Sequence, residues 1–455
     1  MKVARTVRSG GKAGDNINSL PITNNVNRNK GVFNCPRCGA NGKAIGLFAR
    51  AKGYDVGPGT DWSAISKELR EAINGPSATF KRKPKKRYEN KMKLVQRASD
   101  VILNETYSAM LRFKYFALSE EHRADLLRRG LDDGTIKENG YRSIDEACAW
   151  VDNFPKAIAL YEEEGLDVER KKFSRLDRFN KKQMVAGMIL AESLLAAGCR
   201  LEGVPGFYQL KKRWFFNLSF GMLIPTRSAK GRIVSFQVRT QNKNLRYLTL
   251  SSKDLPKGVS ERIARVHFPL HNTRLNNNVR VFITEGPLKA DVAQCLLGNQ
   301  AYFIAIPGVS YRDDLPVIFN FLNQKGIKGI INALDMDKVS NANVLKNSMT
   351  INRLAKSKGL RVRIKYWDEA YCLIKYKELL KIAKKNGVSI PSGSRDDVFF
   401  KTELLTATLA EAHASAGTRK KSHKTETENW RNETKGIDDY LLSLKQHASE
   451  ATQKN

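Results

Sequence analysis

The sequence of 455 residues lacks several features that would assign it to common classes of protein. Six cysteines are too few for a disulfide framework in a chain of this length, and only Cys35 and Cys38 are closely spaced. The first residues are basic, but no apolar core follows them, so they do not form a secretory signal. The longest apolar stretch, residues 185–199, is interrupted by Glu192 and is shorter than the ~20 residues of a membrane span. We therefore expect a soluble, cytoplasmic protein with no membrane partner.

Acidic residues are scarce relative to basic ones. The chain has 79 Lys and Arg against 46 Asp and Glu, which gives a formal net charge of +33. A cationic surface of this size concentrates polyanions, most often nucleic acid, although ribosomal proteins and anionic-membrane binders share the property. The charge therefore predicts a class of partner and no activity. The sequence also contains no G-x-x-x-x-G-K-[ST] phosphate-binding loop, so we expect no fused helicase motor.

The pattern of residues changes along the chain and predicts an α/β protein of several parts. Up to residue 175 the apolar spacing is mostly helical, from Trp214 it alternates as in antiparallel strands, and from Val279 short apolar strands alternate with helices. The last pattern is typical of a parallel α/β sheet. We predict a disordered N-terminus (1–30), a half zinc-ribbon-like unit (31–75), a basic linker (76–95), a helical region (96–175), a basic mixed α+β subdomain (176–275) and an α/β domain (276–445) with an insertion (371–434).

The linker contains the sequence FKRKPKKRY, in which six basic residues surround Pro84. Such a run is either a solvated linker or a contact for the phosphates of a nucleic-acid backbone. The sequence leaves both interpretations open.

Three groups of acidic residues follow predicted strands or turns. Glu285 ends the strand VFITE, Asp335 and Asp337 form an Asp-x-Asp pair after the strand IINAL, and Asp438 and Asp439 lie in a GIDD turn. Clustered carboxylates repel one another unless a cation offsets them, and Mg²⁺ prefers such oxygen ligands. The alternative is that these are ordinary loop acids, with Asp438 or Asp439 acting only as a helix N-cap.

The stretches TEGPLKADVA, INALDMDKVSNANV and KGIDDYLL resemble the acidic motifs of the TOPRIM domain in bacterial-type DNA primases, especially primase-like proteins of phages and mobile elements. The resemblance implies a Rossmann-like parallel sheet with a catalytic centre of Glu285, Asp335 and Asp337. It assigns Glu285 as acid/base or metal-linked carboxylate. Asp335 and Asp337, together with Asp438 or Asp439, become ligands of Mg²⁺ or Mn²⁺.

One position departs from the pattern of many primases, which have an Asp four residues after the motif Glu. Lys289 occupies that position here, and the nearest acid is Asp291, a doubtful ligand. Primase-like proteins of mobile elements share the Lys form. The resemblance therefore places Lys289 with the groups that bind nucleotide and template.

A second resemblance precedes the acidic motifs. GMLIPTRSAKGRIVSFQVR and RYLTLSSKDLPKG are similar to the primase segment that holds template and nucleotides, and LLRRGLDDGTIKENGY is similar to the helical entry to the same core. By this match Arg227, Arg239, Arg246 and Lys257 would contact phosphates, for which the guanidinium of Arg is well suited. The alternative is a solvated face of a strand.

The segment CPRCGANGKAIGLFARAKG resembles the second half of a primase zinc ribbon. A structural Zn²⁺ site needs four ligands, and residues 1–34 contain no Cys or His. Cys35 and Cys38 are therefore a vestige without metal, part of a site completed by another subunit or by distant residues, or the remainder of a truncated ribbon.

Together these features predict a primase-like nucleotidyltransferase that makes short primers on single-stranded DNA from nucleoside triphosphates, in replication of a phage or mobile element. A helicase or polymerase would act in trans as its partner. Two alternatives remain open. One is a catalytically silent DNA-binding replication protein, and the other is a nuclease or topoisomerase with the same TOPRIM chemistry.

Overall fold

The computed structural model describes residues 26–27, 32–34, 41–54, 60–74, 95–173, 176, 179–242, 245–259, 264–270, 275, 278–390, 397–415 and 435–453. The chain divides into two compact units, Met1–Asn90 and Lys91–Asn455. Most of the predicted disordered N-terminus and of the basic linker lies outside the described residues.

The first unit contains three short strands and two helices. The strands form an antiparallel sheet in the order β1-β2-β3. Cys35 and Cys38 lie outside the described residues, so the zinc prediction is untested. The elements are β1 (Val26–Asn27), β2 (Val32–Asn34), β3 (Asn41–Lys43), α1 (Ala44–Ala51) and α2 (Trp62–Asn74).

The second unit begins with helices, as the apolar spacing predicts. Several start at side chains that accept a hydrogen bond from the first helical turn, including Ser99, Ser119, Asp132 and Asn180. The helices are α3 (Asp100–Leu111), α4 (Glu120–Arg128), α5 (Asp133–Asn139), α6 (Pro155–Glu163), α7 (Leu166–Lys171) and α8 (Lys181–Ala196).

These helices pack on an antiparallel sheet with the strand order β4-β7-β8-β9 and on the hairpin β5–β6. Gly187 of α8 lies against the backbone of Phe216, whose carbonyl oxygen would be 2.4 Å from an added Cβ, so only glycine allows this approach. The strands are β4 (Arg142–Ile144), β5 (Phe207–Leu210), β6 (Arg213–Phe216), β7 (Gly221–Arg227), β8 (Ile233–Arg239) and β9 (Tyr247–Thr249).

A parallel sheet follows, in the strand order β11-β10-β12-β13, and apolar clusters lie on both of its faces. The predicted α/β class with a parallel sheet is therefore confirmed. The elements are β10 (Arg280–Glu285), α9 (Pro287–Leu297), β11 (Ala301–Ile306), α10 (Leu315–Gln324), β12 (Gly329–Asn332), α11 (Ala342–Ser357) and β13 (Arg361–Ile364).

The segment predicted as an insertion contains two helices that pack on each other, α12 (Glu369–Lys385) and α13 (Val398–Ser415). Thr406 anchors α13 by donating a hydrogen bond to the carbonyl oxygen of Val339 at 2.8 Å. The last helix, α14 (Ile437–Gln453), packs against α9. Within the described parts of the chain, no helix is both long and apolar enough to cross a membrane.

The parallel sheet and the four-stranded antiparallel sheet are joined by residues 266–268. His267 exchanges backbone hydrogen bonds with Ala305 of β11, and the Phe268 N–H donates to the carbonyl oxygen of Arg227 at the end of β7. This bridge fixes the antiparallel sheet against the edge of the parallel one.

Candidate active site

The first acidic motif lies at the turn from β10 to α9. Glu285 is the last residue of β10, and Gly286 follows with a φ of 89°, a left-handed conformation that favours glycine. The Gly286 N–H donates to the carbonyl oxygen of Ile306 on β11, which fixes the turn. Glu285 therefore stands at the carboxyl end of its strand, and Lys289 lies on the helix that starts beside it.

The Asp-x-Asp pair lies just past the end of β12. Asn332, fully buried, accepts a hydrogen bond from the Leu334 N–H and donates to Ser348 and Asn352 of α11. These contacts fix the direction in which the chain leaves the strand. Asp335 and Asp337 follow immediately, with Asp337 in a short 3-10 turn.

A buried lysine, Lys338, also fixes the conformation of this loop. The Nζ atom of Lys338 donates to the carbonyl oxygens of Leu334 at 2.6 Å and Lys365 at 2.8 Å, and it lies 4.6 Å from the ring centre of Trp367. Burial lowers the pKa of Lys338 to about 8, although nearby acids including Glu403 oppose the shift. Lys338 positions the loop, a role that the sequence analysis did not assign.

The third acidic motif reaches the same place from the end of the chain. The carbonyl oxygen of Lys435 accepts a hydrogen bond from the Met336 N–H, which joins the GIDD turn to the Asp-x-Asp loop. Asp439 accepts a hydrogen bond from the Gly436 N–H and so takes a local role at the start of α14. Asp438 is 2% exposed and faces the other acids. The structure thus separates the roles of the two neighbouring aspartates.

Two ammonium groups lie among these carboxylates. The Nζ atom of Lys289 donates to both oxygens of Asp335, at 2.5 and 2.6 Å. The Nζ atom of Lys435 lies 3.0 Å from Asp337 and 3.9 Å from Asp335. We call the group Glu285, Lys289, Asp335, Asp337, Lys435 and Asp438 the acidic cluster.

The pKa shifts follow from burial and from these neighbours. Burial, followed by the charge of Asp335, raises the pKa of Glu285. Burial also raises the pKa of Asp438 to about 6, although Lys289 opposes the shift. For Lys289 burial would lower the pKa, but Asp335 and Asp438 outweigh it and the pKa is raised. Lys289 therefore carries its positive charge at neutral pH.

The acidic cluster does not form a metal site as it stands. In the part of the chain that the structure describes, no three His, Cys, Asp or Glu side chains are arranged to hold a metal ion. Oxygen ligands of the kind that Mg²⁺ prefers are present, but Lys289 and Lys435 make the contacts that an ion would need. Of the carboxylates predicted to bind Mg²⁺ or Mn²⁺, those of Glu285, Asp335, Asp337 and Asp438 converge around ammonium groups, and that of Asp439 does not join them.

Arg239 of the antiparallel sheet and Arg129, which follows α4, form a chain of ion pairs that leads to the cluster. Arg239, at the end of β8, forms an ion pair with Asp125, and Asp125 also accepts a hydrogen bond from Arg129 at 3.1 Å. The guanidinium of Arg129 lies 3.9 Å from Asp438. Burial would raise the pKa of Asp125, but Arg129 and Arg239 outweigh it and lower the pKa to about 2. Arg239 is thus linked to the cluster through Asp125 and Arg129, and its contact with nucleotide or template remains a prediction. Arg129 was not among the predicted basic residues.

The other predicted basic contacts are spread more widely. Arg227 is 8% exposed, and its guanidinium donates to the carbonyl oxygen of Asn139 at 3.0 Å. Its guanidinium therefore makes a contact inside the protein in this structure. Arg246 is exposed in the turn before β9. Lys257 is exposed and donates to Gln209 at 2.6 Å. Contact of these three residues with nucleotide or template remains a prediction.

Asp291 belongs to a buried network apart from the acidic cluster. One carboxylate oxygen accepts from the hydroxyl of Tyr141 at 2.6 Å, and the other lies 2.9 Å from Nε2 of His267. Because Nδ1 of His267 accepts a hydrogen bond from the Arg227 N–H, the ring proton lies on Nε2 and points to Asp291. The network fastens α9 to the antiparallel sheet, which agrees with the doubt about Asp291 as a ligand.

No family model and no curated protein matches this chain. Among solved structures it is similar to the zinc-binding and RNA polymerase domains of the Aquifex aeolicus primase, at 14% identity and a TM-score of 0.36, covering 86% of each chain. It is similar to a DnaG primase catalytic domain bound to ssDNA at 14% identity and a TM-score of 0.35, covering 70% of this chain and 86% of that one. It is also similar to the RNA polymerase domain of Mycobacterium tuberculosis DnaG in complex with a double-stranded DNA oligomer, at 14% identity and a TM-score of 0.37. This match covers 55% of this chain and 68% of that one.

Proposed function

We propose that this chain is a primase-like nucleotidyltransferase that synthesises short primers on single-stranded DNA from nucleoside triphosphates. The observation that supports the proposal best is the convergence of Glu285, Asp335, Asp337 and Asp438 at the carboxyl edge of the parallel sheet. They come from three distant segments, and functional groups of open α/β sheets gather at this edge. Loop acids without a shared role would not be expected to meet.

The basic residues around the cluster suit a phosphate substrate. Lys289, Arg129 and Arg239 lie within or beside it, and each could bind phosphate oxygens after releasing its present carboxylate partner. In the proposed reaction a 3′-hydroxyl oxygen bonds to the α-phosphorus of a triphosphate, and the bond to the departing pyrophosphate breaks. Glu285, partly exposed at the strand end, would take the hydroxyl proton.

The biological setting is proposed from the motifs. The Lys form of the first motif favours replication of a phage or mobile element, and the absence of a phosphate-binding loop favours a helicase or polymerase in trans. Repeated purification from the native host without either partner would argue against the second proposal.

One observation favours a different function. Lys289 forms an ion pair with Asp335, and the described residues contain no group of side chains arranged to bind a metal ion. Both features would be expected of a catalytically silent DNA-binding protein that keeps the fold. A nuclease or topoisomerase with the same centre would be recognised by its product, a cleaved strand or a changed linking number.

Primer synthesis on single-stranded DNA, with labelled NTPs and Mg²⁺ or Mn²⁺, tests the proposal. The wild type is compared with Asp335→Ala and Asp337→Ala, and with Asp313→Ala, which removes an exposed acid of the same domain. Short products that are lost in the first two variants and kept in the third support the proposal. Products that survive both substitutions refute the assigned centre. No product from any protein, with DNA binding intact, supports the silent alternative.

A further inference from the structure

Lys289 has an unusual position for a residue of a nucleic-acid-binding surface. Its ammonium group donates to both oxygens of Asp335, although 26% of the Lys289 side chain is exposed. Asp335 is 6% exposed, so the carboxylate of this ion pair is buried while its lysine is half-buried. Burying the carboxylate costs desolvation, and the pair persists because the buried charge would cost more alone.

The acidic cluster, together with the adjacent Arg129, holds three cations against four carboxylates. The carboxylates of Glu285, Asp335, Asp337 and Asp438 face the cations Lys289, Lys435 and Arg129. Lys289 is the central cation of the set, since Asp335, Asp438 and Glu285 all act on it. Removing Lys289 alone would leave these three carboxylates without their common counter-charge.

We propose that Lys289 is the built-in cation of this centre, making the contacts with Asp335 that a divalent ion would otherwise make. The centre is then assembled before any divalent ion arrives, and an ion can bind Asp335 only by displacing the ammonium group. The proposal rests on the proposed function, but it concerns the charge balance of the cluster rather than primer synthesis.

The position of Lys289 on α9 supports the proposal. α9 starts directly at the end of β10, and residue 289 lies in its first turn, so its side chain reaches across the sheet edge to the loop after β12. A lysine at this position contacts the loop after β12 rather than only solvent. By contrast, Lys356 near the end of α11 is exposed to solvent.

Substitution of Lys289 tests the proposal through stability and ion binding. In EDTA we expect Lys289→Met to lower the Tm, because three acids lose their counter-charge, and we expect Mn²⁺ to restore it. Electron paramagnetic resonance should show Mn²⁺ binding at least about tenfold tighter in Lys289→Met than in the wild type, since a unit positive charge next to the site has gone. Lys356→Met removes the same charge from the surface and should change neither quantity.

Two further variants keep the test valid if Lys289→Met folds poorly. Lys289→Arg retains the charge and should leave Mn²⁺ binding as weak as in the wild type. The double variant Lys289→Met with Asp335→Asn removes one charge of each sign, so its Tm in EDTA should lie above that of Lys289→Met and should rise less with Mn²⁺.

The proposal is overturned if the wild type binds Mn²⁺ tightly at a site that Asp335→Asn abolishes while Lys289→Met leaves the affinity unchanged. It is equally overturned if Lys289→Met has the wild-type Tm in EDTA and no response to Mn²⁺. Because neither readout measures catalysis, a failure here is distinguishable from a failure to make primers.

Discussion

At the scale of single residues, burial and hydrogen bonding separate acids that look alike in the sequence. Asp291 lies in the first acidic motif and Asp335 in the second, yet Asp291 pairs with His267 and Tyr141 while Asp335 pairs with Lys289. The sequence motifs indicated the carboxylates of the cluster and Lys289. They did not indicate the ion pairs of Arg129 and Lys435 with these acids, because these contacts join segments far apart in the chain.

The network around Asp291 predicts a measurable stability difference between two buried tyrosines. Tyr141→Phe removes the hydroxyl that donates to Asp291 and should lower the free energy of unfolding by about 1–3 kcal/mol. Tyr208→Phe is the matched control, since its hydroxyl contacts only the Met184 sulfur among the described atoms, a weak acceptor, and should cost less than about 1 kcal/mol. Urea unfolding of both variants measures the difference. Equal losses would contradict the assigned role of the network.

Two buried thiols should be unreactive in the native protein. Burial, and next the charge of Asp145, raises the pKa of Cys148 to about 11, and burial with Asp368 raises that of Cys372 to about 12. Since the thiolate is the reactive species, both residues should resist iodoacetamide at about pH 8 and react after denaturation. Mass spectrometry of the two peptides measures the modification. Rapid labelling of either native thiol would contradict the packing described.

At the scale of elements, short apolar runs between polar breaks predicted the strands of the parallel sheet, because their shortness and their β-branched and aromatic residues favour buried strands over helices. The burial of Arg227 could not be predicted in the same way. A register shift at the end of β7 and the segment at 266–268 enclose this residue, and both depend on contacts with distant parts of the chain.

The end of β12 offers a test of how an element positions the Asp-x-Asp loop. Asn332→Ala removes three buried hydrogen bonds and should destabilise the protein by about 2–4 kcal/mol. Asn323→Ala removes one exposed bond to the Lys358 carbonyl and should cost less than about 1 kcal/mol. Chemical denaturation measures both. A cost for Asn332→Ala no greater than that for Asn323→Ala would show that this side chain does not fix the loop.

At the scale of the whole molecule, the net charge of +33 predicts binding to single-stranded DNA that depends strongly on salt. If about five phosphates are neutralised, a fourfold increase in salt concentration should weaken binding by roughly 100-fold. Fluorescence anisotropy with a labelled oligonucleotide at several salt concentrations measures the slope. Affinity that does not change with salt would exclude an electrostatic role for the basic surface.

The central claim is that the acidic cluster joins nucleotides on a DNA template. The most direct measurement is the rate of the first phosphodiester bond, from two labelled nucleoside triphosphates on single-stranded DNA, for the wild type and Asp337→Asn. We expect dinucleotide formation by the wild type and at least about a hundredfold loss in the variant, with DNA affinity unchanged. Equal rates for the two proteins would contradict the central claim.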